Sequence, residues 1–312
     1  MIQIDGDSIA EGIGASATEK RWYELFNPVN YAVSSSQAAD VSGRQRAVAV
    51  DDEYFIGIGG NDAAFYKNDP VKQEYFRRVF RSILAWRLLL SRKTGHGPQA
   101  GITFTGTWAD MPTPSPCGKY TTQTGAAATA TVSGTSVYVE VSECDYPDMG
   151  ENISVKIDGV EKGPFSVKRP GVTTYLGQWW GRVVWAFDGL AAGNHTVVIT
   201  QNSPNGKFLH LSYIAGSDQT ASPVVIVGNA MKFTDAYYAT LGIDAATTQA
   251  YNAIIAAVVA EFIVYGLPVT LLDRYAHFDP ATQSADQWGH PNDAWQRSQR
   301  RDFLTTYLAE LT

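Results

Sequence analysis

The chain has 312 residues, 45% hydrophobic and 18% charged, with a net charge of −7 and a pI near 5.2. This length favours one large domain or two ordinary ones, and the balance allows a sizeable core. An acidic chain without clustered Lys and Arg argues against nucleic-acid binding, and no apolar run approaches the roughly 18 residues that span a membrane.

MIQID opens the chain as a strand, without the basic and apolar pattern of a leader. Directly behind it stands GDSIAEG (6–12). RWYELF (21–26) reads as part of a short helix, NYAVSS (30–35) as a second strand, and EYFIGIGG (53–60) as a third strand ending in a Gly-rich turn. Residues 71–93 read as one long helix, with Phe76, Val79, Phe80, Ile83, Leu84 and Leu88 near helical spacing. This alternation is the texture of a parallel sheet covered on both faces.

From residue 97 the texture changes. Short β-branched runs follow one another: GITFTGTW, TATVSGTSVYVEVS, NISVKIDGV, RVVWAFDGL, NHTVVITQ and FLHLSYIAG, with Asp-Gly turn pairs at 158–159 and 188–189. Short strands separated by turn signals predict an all-β sandwich. Beyond residue 217 the α/β texture returns, with strands at 223–228 and 267–273 and helices at 245–266 and 292–311. The expected organisation is one α/β domain, 1–96 and 218–312, interrupted by a β-sandwich over 97–217. Removing the insert leaves about 190 residues, enough for a single domain.

Ser8 follows the first strand, so it falls at the carboxyl edge of the sheet, where doubly wound folds bind ligands. A serine hydroxyl needs a base and oxyanion donors to act as a nucleophile. The third strand ends in GGND (59–62), which offers the Asn61 amide. DQWGHPND (286–293) places His290 ahead of the last helix. A serine, an amide and a histidine from three separated strand ends suit acyl transfer.

GDSIAEG, GGND and HPND resemble three conserved blocks of the SGNH hydrolases, the GDSL esterase family, across both α/β segments. The resemblance implies a flavodoxin-like, three-layer α/β/α sandwich with a five-stranded parallel sheet, and ester hydrolysis without metal or cofactor. It implies Ser8 as nucleophile, His290 as general base, and an oxyanion hole from Asn61 and the Ser8 N–H. The family's glycine after strand two falls at Ser35 or Ser34, whose backbone N–H still offers a donor. The family's acid stands three residues before the histidine; here that position is Gln287, and Asp286 lies four before. A one-residue bulge near Trp288 and Gly289 makes Asp286 the expected acid, with a backbone carbonyl as the alternative.

Asp7 and Asp62 read as loop-holding or capping residues, and Asp293 as a cap of the last helix. His96, His195, His210 and His277 carry no partnered motif. Asp51, Asp52 and Glu53 read as a solvated loop. Cys117 and Cys144 match neither a disulfide framework nor a zinc spacing and read as structural thiols, a bridge between them being the alternative. Neighbours on a strand point to opposite faces, so one of Trp179 and Trp180 faces outward, to a sugar, the cleft or an interface. Trp288, beside the histidine motif, joins them as a substrate-contact candidate. The insert loosely resembles jelly-roll modules attached to carbohydrate-active enzymes. The expected function is a serine esterase removing O-acyl, foremost O-acetyl, groups from a carbohydrate or other small ester. The alternatives are a lipid esterase or thioesterase of the same family, and a non-catalytic glycan-binding module.

Overall fold

The structure, a computed structural model, describes residues 1–45, 48–49, 51–89, 92–95, 100–111, 118–169, 171, 173–217 and 222–310. The first part runs β1 (Ile2–Gly6), α1 (Ser8–Glu11), β2 (Val29–Asn30), α2 (Ala38–Gly43), β3 (Glu53–Gly57), α3 (Gly60–Tyr66) and α4 (Pro70–Leu88). The antiparallel part runs β4 (Lys93–Gly95), β5 (Ile102–Thr105), β6 (Ala109–Asp110), β7 (Lys119–Thr121), β8 (Ala127–Gly134), β9 (Val137–Cys144), β10 (Ile153–Ile157), β11 (Val160–Glu161), β12 (Trp180–Phe187), β13 (Gly193–Gln201) and β14 (Leu209–Gly216). The chain closes with β15 (Val224–Gly228), α5 (Asp235–Leu241), α6 (Ala245–Val264), β16 (Val269–Leu272), α7 (Arg274–His277), α8 (Pro280–Gln283) and α9 (Asp293–Glu310).

β2, β1, β3, β15 and β16 lie side by side in that order, every pair parallel. The order reverses between β1 and β3, so their carboxyl ends diverge into a crevice there. Alternation along the strands sends side chains to two apolar layers. Ile4, Phe55, Ile226 and Leu272 pack with Trp22, Tyr23 and Phe303 of α9. Tyr54, Ile56, Val225, Val227 and Val269 join Phe76, Val79 and Phe80 of α4 and Tyr251, Ile255 and Val259 of α6.

The second strand is shorter than NYAVSS suggests. It is an edge strand, and the Tyr31 and Val33 N–H groups still donate to Ile4 O (2.8 Å) and Gly6 O (3.1 Å) beyond its regular part. α4 stops at Leu88, and Lys93–Gly95 pairs with β14 rather than prolonging the helix. The antiparallel part therefore begins before residue 97. α6 is long and apolar enough to cross a membrane by length and composition alone, contrary to the sequence reading. It packs as a core helix, with Tyr251, Ile255, Val258, Val259 and Phe262 buried.

Two antiparallel sheets occupy the middle of the chain. One runs β11-β10-β13-β8-β5; the other runs β12-β9-β14-β7-β6, with β4 beside β14. Asp158 and Gly159 both take positive φ (50° and 80°), the two-residue turn that matches strand twist between β10 and β11. Every residue of β9 is buried, because the sheet holding it also packs against α4 and α2 through β12. Glu140 and Glu143 are consequently buried with charged partners. Arg182 lies 3.8 Å from Glu140, and Arg78 and Arg169 lie 2.8 and 2.7 Å from Glu143. Cys144 is also buried, which pushes its thiol up to about 11; Cys117 and His96 lie outside the described residues.

Candidate active site

The site begins at the end of β1. Gly6 sits at φ +144° opposite Gly57, where a Cβ would lie 2.0 Å from Gly57 O. That close approach lets Asp7 N donate to Gly57 O at 3.1 Å and the chain turn at once into α1. Asp7 Oδ1 caps α1 by accepting from the Ile9 and Ala10 N–H groups at 3.0 and 3.4 Å. Burial pushes Asp7 above its ordinary range, against the pull of Arg274 and those two N–H groups. Ser8 is the first residue of α1, so its hydroxyl stands over the crevice.

His290 comes from the far end of the chain. Its Nε2 lies 3.0 Å from Ser8 Oγ, and its Nδ1 lies 2.6 Å from Asp286 Oδ2. Asp286 Oδ1 accepts the backbone N–H groups of Trp288, Gly289 and His290 at 2.9, 3.1 and 3.1 Å. The four-residue spacing closes because Gly289 takes φ +99° and Ala285 N donates to His290 O at 2.6 Å. Burial raises the Asp286 pKa, but hydrogen bonds from the His290 ring and backbone outweigh it and leave the carboxyl below its ordinary range. An ionised carboxylate can only accept, so Nδ1 carries the ring proton and Nε2 is free to accept from Ser8.

The opposite wall is the 34–36 loop and α3. Ser35 sits at φ 65°, a left-handed conformation that glycine adopts without strain. Asn61 Nδ2 donates to Ser36 O at 3.0 Å, which ties α3 to this loop and leaves its second N–H for another acceptor. Asp62 holds a loop from within the fold rather than capping its own helix. It is fully buried and accepts the Ala38 N–H with both oxygens at 3.1 Å, anchoring the start of α2. Asp293 does not cap α9 either: Asn292 accepts from Ala294 N and Trp295 N, whereas Asp293 binds Ser16 and Lys20.

Together these groups surround a cavity of about 290 Å³, lined by Asp7, Ser8, Ser34, Ser35, Asn61, Phe233, Tyr237, Arg274, Trp288 and His290 among others. Of the candidate residues, Ser8, Ser35, Asn61, Asp286, Trp288 and His290 are thus brought together. Trp288 is half-exposed, its ring edge-on to His290 at 5.9 Å. Trp179 and Trp180 are not among the lining residues; Trp179 lies beside Tyr146, and Trp180 packs against the core. His195 pairs with Asp158 in the sandwich, away from the cleft.

Sequence reasoning missed Arg274. It is buried beneath the cavity and donates to the Asn229 and Gly228 carbonyls at 2.7 and 2.9 Å, across the end of β15. Burial lowers its pKa to about 10, with Asp7 pulling the other way. Its one sequence signal is position, directly after Asp273 at the end of the last strand. Among the described residues no cluster of His, Cys, Asp and Glu could hold a metal ion.

No family model and no curated protein matches the chain. Among solved structures it is similar to a two-domain esterase active on acetylated mannans, crystallised with mannopentaose: 10% identity, 71% of this chain and 90% of that one, TM-score 0.37. It is similar to a family two carbohydrate esterase from Clostridium thermocellum in complex with cellohexaose: 13% identity, 68% and 99% coverage, TM-score 0.28. It is also similar to a CBM35 module from Cellvibrio japonicus Abf62: 17% identity, 42% and 98% coverage, TM-score 0.31. At these identities and TM-scores, what the site does must be argued from its own geometry.

Proposed function

We propose that the chain is a serine ester hydrolase of the SGNH type that removes O-acetyl groups from a carbohydrate. The observation that carries the chemistry is the Ser8–His290–Asp286 relay, 3.0 and 2.6 Å, at the mouth of a cavity. Nε2 takes the Ser8 proton as Oγ attacks the ester carbonyl. The oxyanion is received by the Ser8 and Ser35 backbone N–H groups and the spare Asn61 N–H. His290 then returns the proton to the departing alcohol, and water repeats the cycle on the acyl-enzyme. Asp286 holds the imidazole tautomer and stabilises the imidazolium without taking its proton.

The small cavity favours a short acyl group. Asp7, Arg274 and Lys232 break up its lining, so a long acyl chain finds no continuous apolar track. In this reading residues 1–92 and 218–312 are the catalytic domain and the inserted jelly-roll takes in β4 as well as the expected 97–217, because Lys93–Gly95 pairs with β14. The test is acetate release from p-nitrophenyl acetate, acetylated glucomannan and acetylated xylan by wild type and Ser8→Ala. Release by wild type and a loss of at least about 10³ in Ser8→Ala is expected. Near-wild-type rates in Ser8→Ala would overturn the assignment, and a strong preference for octanoyl over acetyl esters would redirect it to lipids.

A further inference from the structure

The insert does more than sit beside the cleft. Phe65 lies one helical turn beyond Asn61 on α3, on the same face of that helix, and is partly exposed. The 173–179 loop, which leads into β12, lays Tyr175 against it, with ring centroids 4.4 Å apart and planes at 55°. The loop is pinned there. Thr174, buried, donates its hydroxyl to Asp40 Oδ1 at 2.7 Å, and Tyr175 N donates to Gln37 Oε1 at 2.8 Å. Within the loop Thr174 N donates to Gln178 O at 2.8 Å, and Gln178 N returns to Thr174 Oγ1 at 3.0 Å. Yet Tyr175 as a whole residue is 47% exposed. A pair of large rings held on rigid backbone but left to water is the form of a ligand surface rather than a core.

The pair stands beside the cavity wall: Phe65 follows Asn61, a lining residue, by one turn of α3, and Gln37 and Asp40, which hold Tyr175 and Thr174, follow closely on Ser36, whose carbonyl accepts from Asn61 Nδ2. Phe233 stands edge-on to Tyr237 at 5.3 Å and leans over Gly60, and Trp288 faces His290. Aromatic rings thus rim a cavity whose floor is polar. A pyranose presents the matching surfaces: apolar C–H faces that lie on aromatic rings, and a hydroxyl edge for polar groups. Building on the esterase reading, we propose that Tyr175 and Phe65 form a sugar-ring platform, so that the insert supplies one wall of the substrate site.

The test compares Tyr175→Ala, Phe65→Ala and Tyr175→Phe with wild type on p-nitrophenyl acetate and on acetylated glucomannan and xylan oligosaccharides. The alanine variants should raise oligosaccharide KM about tenfold, leaving kcat/KM on the small ester within about twofold, and Tyr175→Phe should restore KM. Unchanged oligosaccharide KM in both alanine variants would overturn the platform. So would a wild type that hydrolyses p-nitrophenyl acetate but neither oligosaccharide. A wild type inactive on the small ester would instead strike the esterase reading, and titration calorimetry of the same oligosaccharides would then read the platform alone. Binding weakened about tenfold in the alanine variants would sustain it, and equal or absent binding would overturn it.

Discussion

Asp286→Asn separates orientation of the histidine from integrity of the loop. An asparagine oxygen can still accept the Trp288, Gly289 and His290 N–H groups, so the turn survives. Its NH2 then meets Nδ1, which must accept, and the ring proton moves to Nε2, the atom 3.0 Å from Ser8 Oγ. A protonated Nε2 cannot take the Ser8 proton. In serine hydrolases the wrong tautomer costs about 10⁴ in turnover, or about 5 kcal/mol of barrier. Stability should fall far less. The Asp286 side chain is 31% exposed, so after solvent screening the lost charged hydrogen bond is worth about 1 kcal/mol. The pH sign follows from the depressed carboxyl. Its stabilisation is present above the unfolded value near 3.8 and is lost as pH falls through the lower folded value. The gap in Tm between wild type and variant should be flat above about pH 5 and close below about pH 4. The assay is kcat on p-nitrophenyl acetate with thermal melts across that range. A variant within tenfold of wild-type kcat would refute the reasoning and give the orienting role to another group, such as a backbone carbonyl.

Asn61→Ala should cost about 10²–10³ in kcat on the same ester; an unchanged kcat would remove its amide from the oxyanion hole. Ser35→Gly should raise stability by about 0.5–1 kcal/mol by relieving the left-handed conformation and leave kcat intact, because the donor is the backbone N–H. A tenfold fall in kcat would show that the Ser35 hydroxyl takes part. Arg182→Met leaves Glu140 buried without its nearest cation and should destabilise by about 3 kcal/mol. Burial already raises Glu140 above 4.5 and Arg182 opposes it, so without Arg182 the carboxyl rises further. A raised carboxyl stabilises below its unfolded pKa and loses this as pH rises, so the deficit measured by denaturant melts should be larger at pH 8 than at pH 5.

What could be read from the sequence was local. Ser8 and Asn61 each stand where an apolar run gives way to a turn, and His290 is marked by its motif ahead of the last helix, so pattern and motif singled them out without knowledge of strand order. Asp286 was legible only as a spacing. Its geometry depends on a positive φ at Gly289 and on three N–H groups converging on one oxygen, which no periodicity encodes. Arg274 was hidden because its partners are carbonyls at the end of another strand. In β9, Glu140, Ser142 and Glu143 carry no sign of burial in the sequence. They are buried because helix α4 covers the face that a free-standing module would give to water, and arginines from α4 and the sandwich meet the charges there.

That docking links the antiparallel sheets to the cleft in a way neither segment reveals alone. Ser42 of α2 accepts from Arg182 N at 2.7 Å and donates to Arg182 O at 3.3 Å, so β12 grips the helix. The start of the same helix accepts Thr174 and Tyr175 through Asp40 and Gln37, and Asp40 Oδ2 in turn accepts Gln37 N at 2.8 Å. Ser36, one residue earlier, receives Asn61 and closes the wall that faces Ser8. A module tethered by a flexible linker could change its orientation without touching this wall. Here the backbone that presents Tyr175 and the backbone that presents the Ser35 N–H meet on one short helix, so the loop leading into β12 and the cleft cannot be repositioned independently.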